Sequence, residues 1–271
     1  MKAQDIKKIA VMGAGDMGHG IAEVALLAGY KVAMRDIEQR FIDKGFSRIK
    51  ESLDKLVEKQ KVTEDNKKTM LANIQTFVDI ADSVKDADFV IEAVPEVMDL
   101  KRQVFQALDA AAPKHAILAS NTSTMSITEM ASATKRPEQV VGMHFFNPPV
   151  LMKLVEVIKG EKTSQVVMQV TYDLALKMNK VPVRIEKDSP GFIYNRVNAP
   201  TDVLWSRQGR PGHSRNRAWA GSCFSGCSVA WFGRSGDLVV CWVLGLSGRI
   251  SRSADFAQLA AARSWHTCGI E

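Results

Sequence analysis

His144 and Glu156 are the residues whose types and spacing could move a proton. They lie on two apolar stretches, residues 142–146 and 154–158, joined through the turn-forming Pro148 and Pro149. If the stretches pair, an imidazole base meets a carboxylate that can orient it. One ring nitrogen then donates to the carboxylate, which fixes the tautomer, and the other is left to take a proton from a substrate. The same pattern also fits a half-buried histidine beside an unrelated surface glutamate, because a turn between apolar runs does not by itself bring two side chains together.

The elements that must position this pair begin at the start of the chain. Residues 6–12 read as a short apolar strand that runs into Gly13-Ala14-Gly15-Asp16-Met17-Gly18, followed by a helical repeat, Ile21, Val24, Ala25, Ala28, that stops at Gly29. Strand, glycine turn and helix stand in the order a dinucleotide site requires. Gly13 permits the tight turn, Gly15 lets a pyrophosphate approach the backbone, and Gly18 lets helix and strand pack closely, with the helix amides facing the anion. A second strand, residues 31–34, leads to Asp36, whose carboxylate suits a ribose 2′-hydroxyl and favours NAD over NADP. Arg35 and Arg40 lie close by and offer cations to a 2′-phosphate.

Further strands at 88–94 and 116–120 alternate with a helix at 98–111, so the fold class is α/β, a doubly wound, mainly parallel sheet of Rossmann type covered on both faces. Ser123 sits just past a strand end, as a donor to a substrate oxygen or as part of a turn, and Ser126 with Glu129 reads as a capping box. Between residues 38 and 73 a lysine-rich helical arm interrupts the βαβ unit: 46, 49, 53, 56 and 57 repeat at helical spacing, and a helix restarts over 63–71. Its lysines could attract a phosphorylated ligand or simply form a solvated face among Glu51, Asp54, Glu58 and Glu64. A helix over 164–178, a strand over 181–185 and a helix opening after Pro190 follow.

The chain resembles the 3-hydroxyacyl-CoA dehydrogenase family, and within it the archaeal and bacterial 3-hydroxybutyryl-CoA dehydrogenase branch, through six ordered motifs. These are Gly13-x-Gly15-x-x-Gly18, Ile91-Glu92-Ala93-Val94-x-Glu96, Ser120-Asn121-Thr122-Ser123, His144-Phe145-Phe146-Asn147-Pro148, Leu154-Val155-Glu156-Val157 and Pro190-Gly191-Phe192-Ile193-x-Asn195-Arg196. The resemblance implies that His144 and Glu156 are the catalytic pair and that Ser123 and Asn195 bond the reacting 3-oxygen. It implies Asp36, Glu96, Lys101 and Asn147 as NAD contacts beside the glycine loop, and Ser52 and Lys59 as CoA contacts, which gives the arm a purpose. The implied reaction oxidises an L-3-hydroxyacyl-CoA to the 3-ketoacyl-CoA, with no metal. A 6-phosphogluconate or UDP-sugar dehydrogenase relationship is disfavoured, since neither has a place for the His144 motif or the arm.

After Pro200 the composition breaks. All five Trp and all four Cys lie beyond it, all 21 Lys lie before it, and the last 71 residues carry 8 Arg, 9 Gly and 10 Ser. The family continues here into a helical domain that makes a homodimer, and nothing in 201–271 resembles one. A frameshift near Thr201 accounts for the switch, because an out-of-frame reading exchanges Lys codons for Arg, Ser, Gly, Trp and Cys codons. The expected organisation is an NAD-binding domain over 1–200 and an atypical tail of uncertain fold over 201–271. The alternative function is then a catalytically impaired NAD-binding remnant. Cys223 and Cys227 lack a matching second pair for zinc, residues 254–265 could form one helix, and the Arg-rich, Gly- and Ser-rich stretch 207–217 reads as disordered rather than as a nucleic-acid arm. The net charge of +6 is mostly tail: 28 basic against 26 acidic residues over 1–200, and 8 against 4 beyond. It therefore argues for no nucleic-acid or membrane partner. A cysteine-free first 200 residues and a polar N-terminus lead to the expectation of a cytoplasmic protein.

Overall fold

The structure, a computed structural model, describes residues 2–197. The frameshift near Thr201, the Cys223 and Cys227 spacing and the 254–265 helix lie outside the described residues. Among the described residues the strands are β1 (Lys8–Met12), β2 (Lys31–Arg35), β3 (Ile74–Phe77), β4 (Phe89–Glu92), β5 (Ile117–Ser120), β6 (Val140–Phe145), β7 (Leu154–Ile158) and β8 (Val181–Ile185). They form one sheet in the order β3-β2-β1-β4-β5-β6-β7-β8. Neighbours are parallel except β6 and β7, which run antiparallel with His144 directly opposite Glu156.

The helices are α1 (Gly18–Leu27), α2 (Gln39–Glu58), α3 (Glu64–Ala72), α4 (Ile80–Val84), α5 (Met98–Ala111), α6 (Ile127–Ser132) and α7 (Gln165–Lys177). They cover both faces of the sheet, so its central strands β1, β4, β5 and β6 are buried along their whole length rather than at alternate positions. Ile9 and Val11 of β1 join Ile21, Ile49 and Leu174 in one core, while Ala10 and Met12 join Phe105, Leu108 and Met130 in the other. Side chains cap four of the helices: Thr63, Asp79, Ser126 and Ser164 each accept a backbone N–H from three residues ahead.

Four details differ from the sequence expectation. β1 starts at Lys8 rather than residue 6, and β4 is confined to 89–92 because Asp88 turns its carboxylate onto the amides of Lys7 and Lys8 at 2.7 and 3.1 Å. Helix α2 lies within the arm where the sequence places it and buries Ile42, Gly45, Ile49 and Leu53, so the arm is docked along the body. Edge strand β3 and the short α4 carry no clear signal in the sequence.

Two glycines have no substitute. Gly13 has φ +109°, and a Cβ there would lie 2.7 Å from the Ala93 carbonyl oxygen. A Cβ at Gly18 would lie 1.9 Å from the Gly13 carbonyl oxygen, so the first turn of α1 touches the end of β1 through bare backbone. Gly18→Ala is expected to lower stability by about 3 kcal/mol, the upper end of overpacking costs. Urea denaturation followed by circular dichroism checks this, and an unmoved midpoint would mean that the turn relaxes freely.

Candidate active site

A cavity of about 750 Å³ opens along the carboxyl ends of β1 and β4, where the strand order reverses. Gly13, Gly15 and Asp16 line one end together with Asp36, and Ser123, His144 and Asn195 line the other. A Cβ built on Gly15 meets nothing within 4 Å, so the loop backbone borders open space of the kind a pyrophosphate would fill. Met17, Glu96, Lys101 and Asn147 also line this cavity, whereas Ala14 and Gly18 are not among its lining residues. The Ala14 amide donates to Asp36 Oδ2 at 2.7 Å, and Ile37 N donates to Oδ1 at 2.7 Å. Asp36 is thereby fixed with lone pairs left for a ribose hydroxyl. The nearby arginines are engaged elsewhere: Arg35 Nε donates to the Val78 carbonyl at 2.7 Å, and Arg40 pairs with Glu38 at 2.7 Å and lies over Phe41. A dinucleotide without a 2′-phosphate fits this end.

At the other end, His144 Nδ1 and Glu156 Oε2 are 2.7 Å apart, with His144 6% and Glu156 1% exposed. Against a carboxylate Nδ1 donates, which leaves Nε2 as the acceptor toward the cavity. Phe146 lies 4.5 Å and Phe192 6.0 Å from the imidazole, centroid to centroid. Glu156 Oε1 accepts the amides of Ile193 at 3.1 Å and Tyr194 at 2.9 Å. Those amides are presented by a left-handed turn, with φ +77° at Gly191 and +51° at Phe192. One carboxylate thus holds both the imidazole and the segment that carries Asn195.

Lys101 and Glu96, cofactor contacts on the family resemblance, have protein partners in the structure. Lys101 Nζ, 1% exposed, donates to Glu92 Oε1 at 2.7 Å and the Val94 carbonyl at 3.2 Å and pairs with Glu96 Oε2 at 3.1 Å. Glu92 is fully buried and also accepts from Ser120 Oγ at 2.6 Å and Val94 N at 2.7 Å. Glu96 Oε1 accepts from Thr122 Oγ1, Ser123 N and Ser123 Oγ at 3.0, 2.7 and 3.1 Å. Burial acts to raise the Glu96 pKa, but the Lys101 charge and these hydrogen bonds outweigh it and hold the carboxyl below its ordinary range. Ser123 therefore directs its proton at Glu96. Asn195 Nδ2 donates one N–H to the Ser123 carbonyl at 2.9 Å, and its second N–H is left for a ligand.

A second cavity of about 440 Å³ lies between α1, α2 and residues 147–151, with Asp16 and Asn147 lining both cavities. The expected Ser52 and Lys59 line it together with Lys55, one of the arm lysines that could attract a phosphorylated ligand, as do Glu23 and Arg48, which the sequence does not single out. Arg48 shares only the helical spacing 48, 52, 55 and 59 along one face of α2. Other arm lysines are taken up locally: Lys67 pairs with Asp54 and Glu64, Lys68 with Asp65, and Lys50 lies over Phe46. Asp16 is held below the usual carboxylate range by its bond to Arg48 at 2.5 Å.

The main crevice is shaped for a dinucleotide. The chain belongs to the 3-hydroxyacyl-CoA dehydrogenase family, matching the family's NAD-binding domain over residues 8–189. It is 44% identical over 193 residues to a 3-hydroxybutyryl-CoA dehydrogenase of Clostridioides difficile, covering 71% of this chain and 68% of that protein. A probable 3-hydroxybutyryl-CoA dehydrogenase of Bacillus subtilis is 45% identical over 196 residues, 72% of this chain and 68% of the relative. The crystal structure of the (S)-3-hydroxybutyryl-CoA dehydrogenase of Ralstonia eutropha superposes with a TM-score of 0.72 at 38% identity, over 76% of this chain and 74% of that one.

Removing Lys101 would leave Glu92 and its charge without a cation in a dry environment. Lys101→Met is expected to cost about 3 kcal/mol or more, the usual penalty for breaking a buried pair from one side. Urea denaturation measures it, and a loss no larger than a surface substitution causes would show that the pair carries little.

Proposed function

We propose that the fold is built for NAD-dependent, reversible oxidation of L-3-hydroxyacyl-CoA to 3-ketoacyl-CoA, as in fatty acid β-oxidation or 3-hydroxybutyryl-CoA metabolism. The observation that carries this reading is the cross-strand His144–Glu156 pair in the same cavity as the glycine loop. Bound NAD supplies the acceptor for the hydride that leaves C3. His144 Nε2 takes the proton of the 3-hydroxyl, and Glu156 balances the imidazolium through Nδ1–H. Asn195 holds the 3-oxygen with its second N–H, and Ser123 joins it when its hydroxyl turns from Glu96. Lys101 acts through Glu96, which with Asp36, Asn147 and the loop of Gly13, Gly15, Asp16 and Met17 binds the cofactor. Ser52 and Lys59, with Arg48 and Lys55, receive the CoA portion in the second cavity.

The composition break after Pro200 favours a second reading for this particular chain, a remnant that binds NAD but turns over poorly. Asn195 is followed within a few residues by the changed sequence, so one donor to the 3-oxygen lacks the helical domain that continues it in the family. Closure around the substrate supplies a large share of a dehydrogenase's barrier reduction. The 271-residue chain is expected to oxidise NADH with acetoacetyl-CoA far more slowly than a chain with its frame restored after codon 201, and to lack the family's dimer. Equal rates from a homogeneous sample would establish the tail as functional.

In the frame-restored enzyme, His144→Gln should lower kcat by about 10²- to 10⁴-fold, the range for losing a positioned base. NADH affinity, read by fluorescence titration, should stay unchanged. Retention of wild-type turnover would remove His144 as the base.

A further inference from the structure

We propose that Glu23 is a ligand-binding residue of the second cavity, and that its proton decides whether the Ser52 hydroxyl offers an acyl-CoA a donor or an acceptor. The inference rests on the reading above that this cavity takes CoA. Glu23 lies within α1 and is 1% exposed, yet it lines the cavity, and its Oε1 is 2.6 Å from Ser52 Oγ on α2. An ionised carboxylate carries no proton, so Ser52 must donate to it and has only lone pairs left for a ligand. Once Glu23 is protonated, its own O–H can donate to Ser52, and the Ser52 proton is released toward the cavity. CoA meets this wall with phosphate oxygens and amide carbonyls, which are acceptors, and with negative charge. The protonated form therefore binds it and the ionised form opposes it.

The environment places this change near neutrality. Burial pushes the Glu23 carboxyl up to about 7, with the Ser52 bond acting weakly in the other direction. The charged and titratable groups around the cavity are Asp16 paired with Arg48, His19 on α1, and Lys55 and Lys59 on α2. Residues 147–151 add none. On the strands behind α1, Lys8 pairs with Asp86, Arg35 bonds Val78, and neither they nor Lys31 line the cavity. The cations draw the phosphates to the rim, and Glu23 sets the hydrogen-bonding sense of the wall.

The test uses the full chain and its Glu23→Gln variant, with free CoA as the probe in calorimetric titrations from pH 6 to pH 8. The wild-type dissociation constant is expected to rise about tenfold relative to the variant over this interval, the limit of linkage to one group titrating at about 7. Contributions common to both proteins, the CoA phosphate among them, cancel from the ratio. Parallel pH profiles would overturn the inference while leaving the CoA reading intact. Failure of both proteins to bind CoA at any pH would overturn the inference and the CoA reading together. A second readout needs no ligand. With a folded pKa above the unfolded one, Glu23 contributes stability that is complete below the ordinary carboxylate range and lost as pH rises through about 7. The melting temperature of Glu23→Gln should therefore gain on the wild type between pH 5 and pH 8. A constant difference would overturn the inference whatever CoA does.

Discussion

Glu156 gives one oxygen to His144 and the other to the amides of Ile193 and Tyr194, and the crevice keeps its shape through that division. A carboxylate this deeply buried is costly without partners, so its three donors are a condition of its being there. The same bonds compensate the turn that supplies two of them. Phe192 sits at φ +51°, a conformation that costs an L-residue about 1 to 2 kcal/mol, and it is held by burial and by the amides that follow. Since Asn195 comes directly after Tyr194, the place of its amide follows from the place of Glu156.

A second carboxylate system works by a different rule. Glu92 and Glu96 share the Lys101 ammonium, and through Glu96 that charge reaches the Ser123 backbone and hydroxyl. Each member is satisfied, which is the circumstance in which a buried polar network adds rigidity rather than strain. The cavity thus has one wall fixed by an anion on backbone amides and another fixed by a cation between two anions. Glu23 has neither arrangement, only a hydroxyl, and its tendency to hold a proton follows from that difference.

Much of this could be read from the residues because local signals were strong and in agreement. The order of strand, glycine turn and helix, with α1 stopping before Gly29, and the α5 limits at Met98 and Ala111 stand as the sequence places them. So does the meeting of His144 and Glu156. The sequence is weaker where the signal is short or tertiary. β3 reads Ile-Gln-Thr-Phe on a sheet edge with two exposed positions, and α4 spans five residues, too few to show a period. That Lys101 is enclosed by Glu92, Val94 and Glu96 depends on how α5 packs on β4. Glu23 looks like one polar position on an apolar helix until α2 is laid across it.

The reversal of β7 against β6 separates two properties that enzymes often trade against each other. His144 and Glu156 are aligned by the backbone ladder of an antiparallel pair, while residues 146–151 of the eight-residue connection between the strands line one cavity or both. Changes in the length or bulk of that connection alter what the cavities admit, yet the ladder still sets the two side chains face to face. Selectivity can drift in the loop while the proton-transfer geometry is inherited unchanged from the sheet.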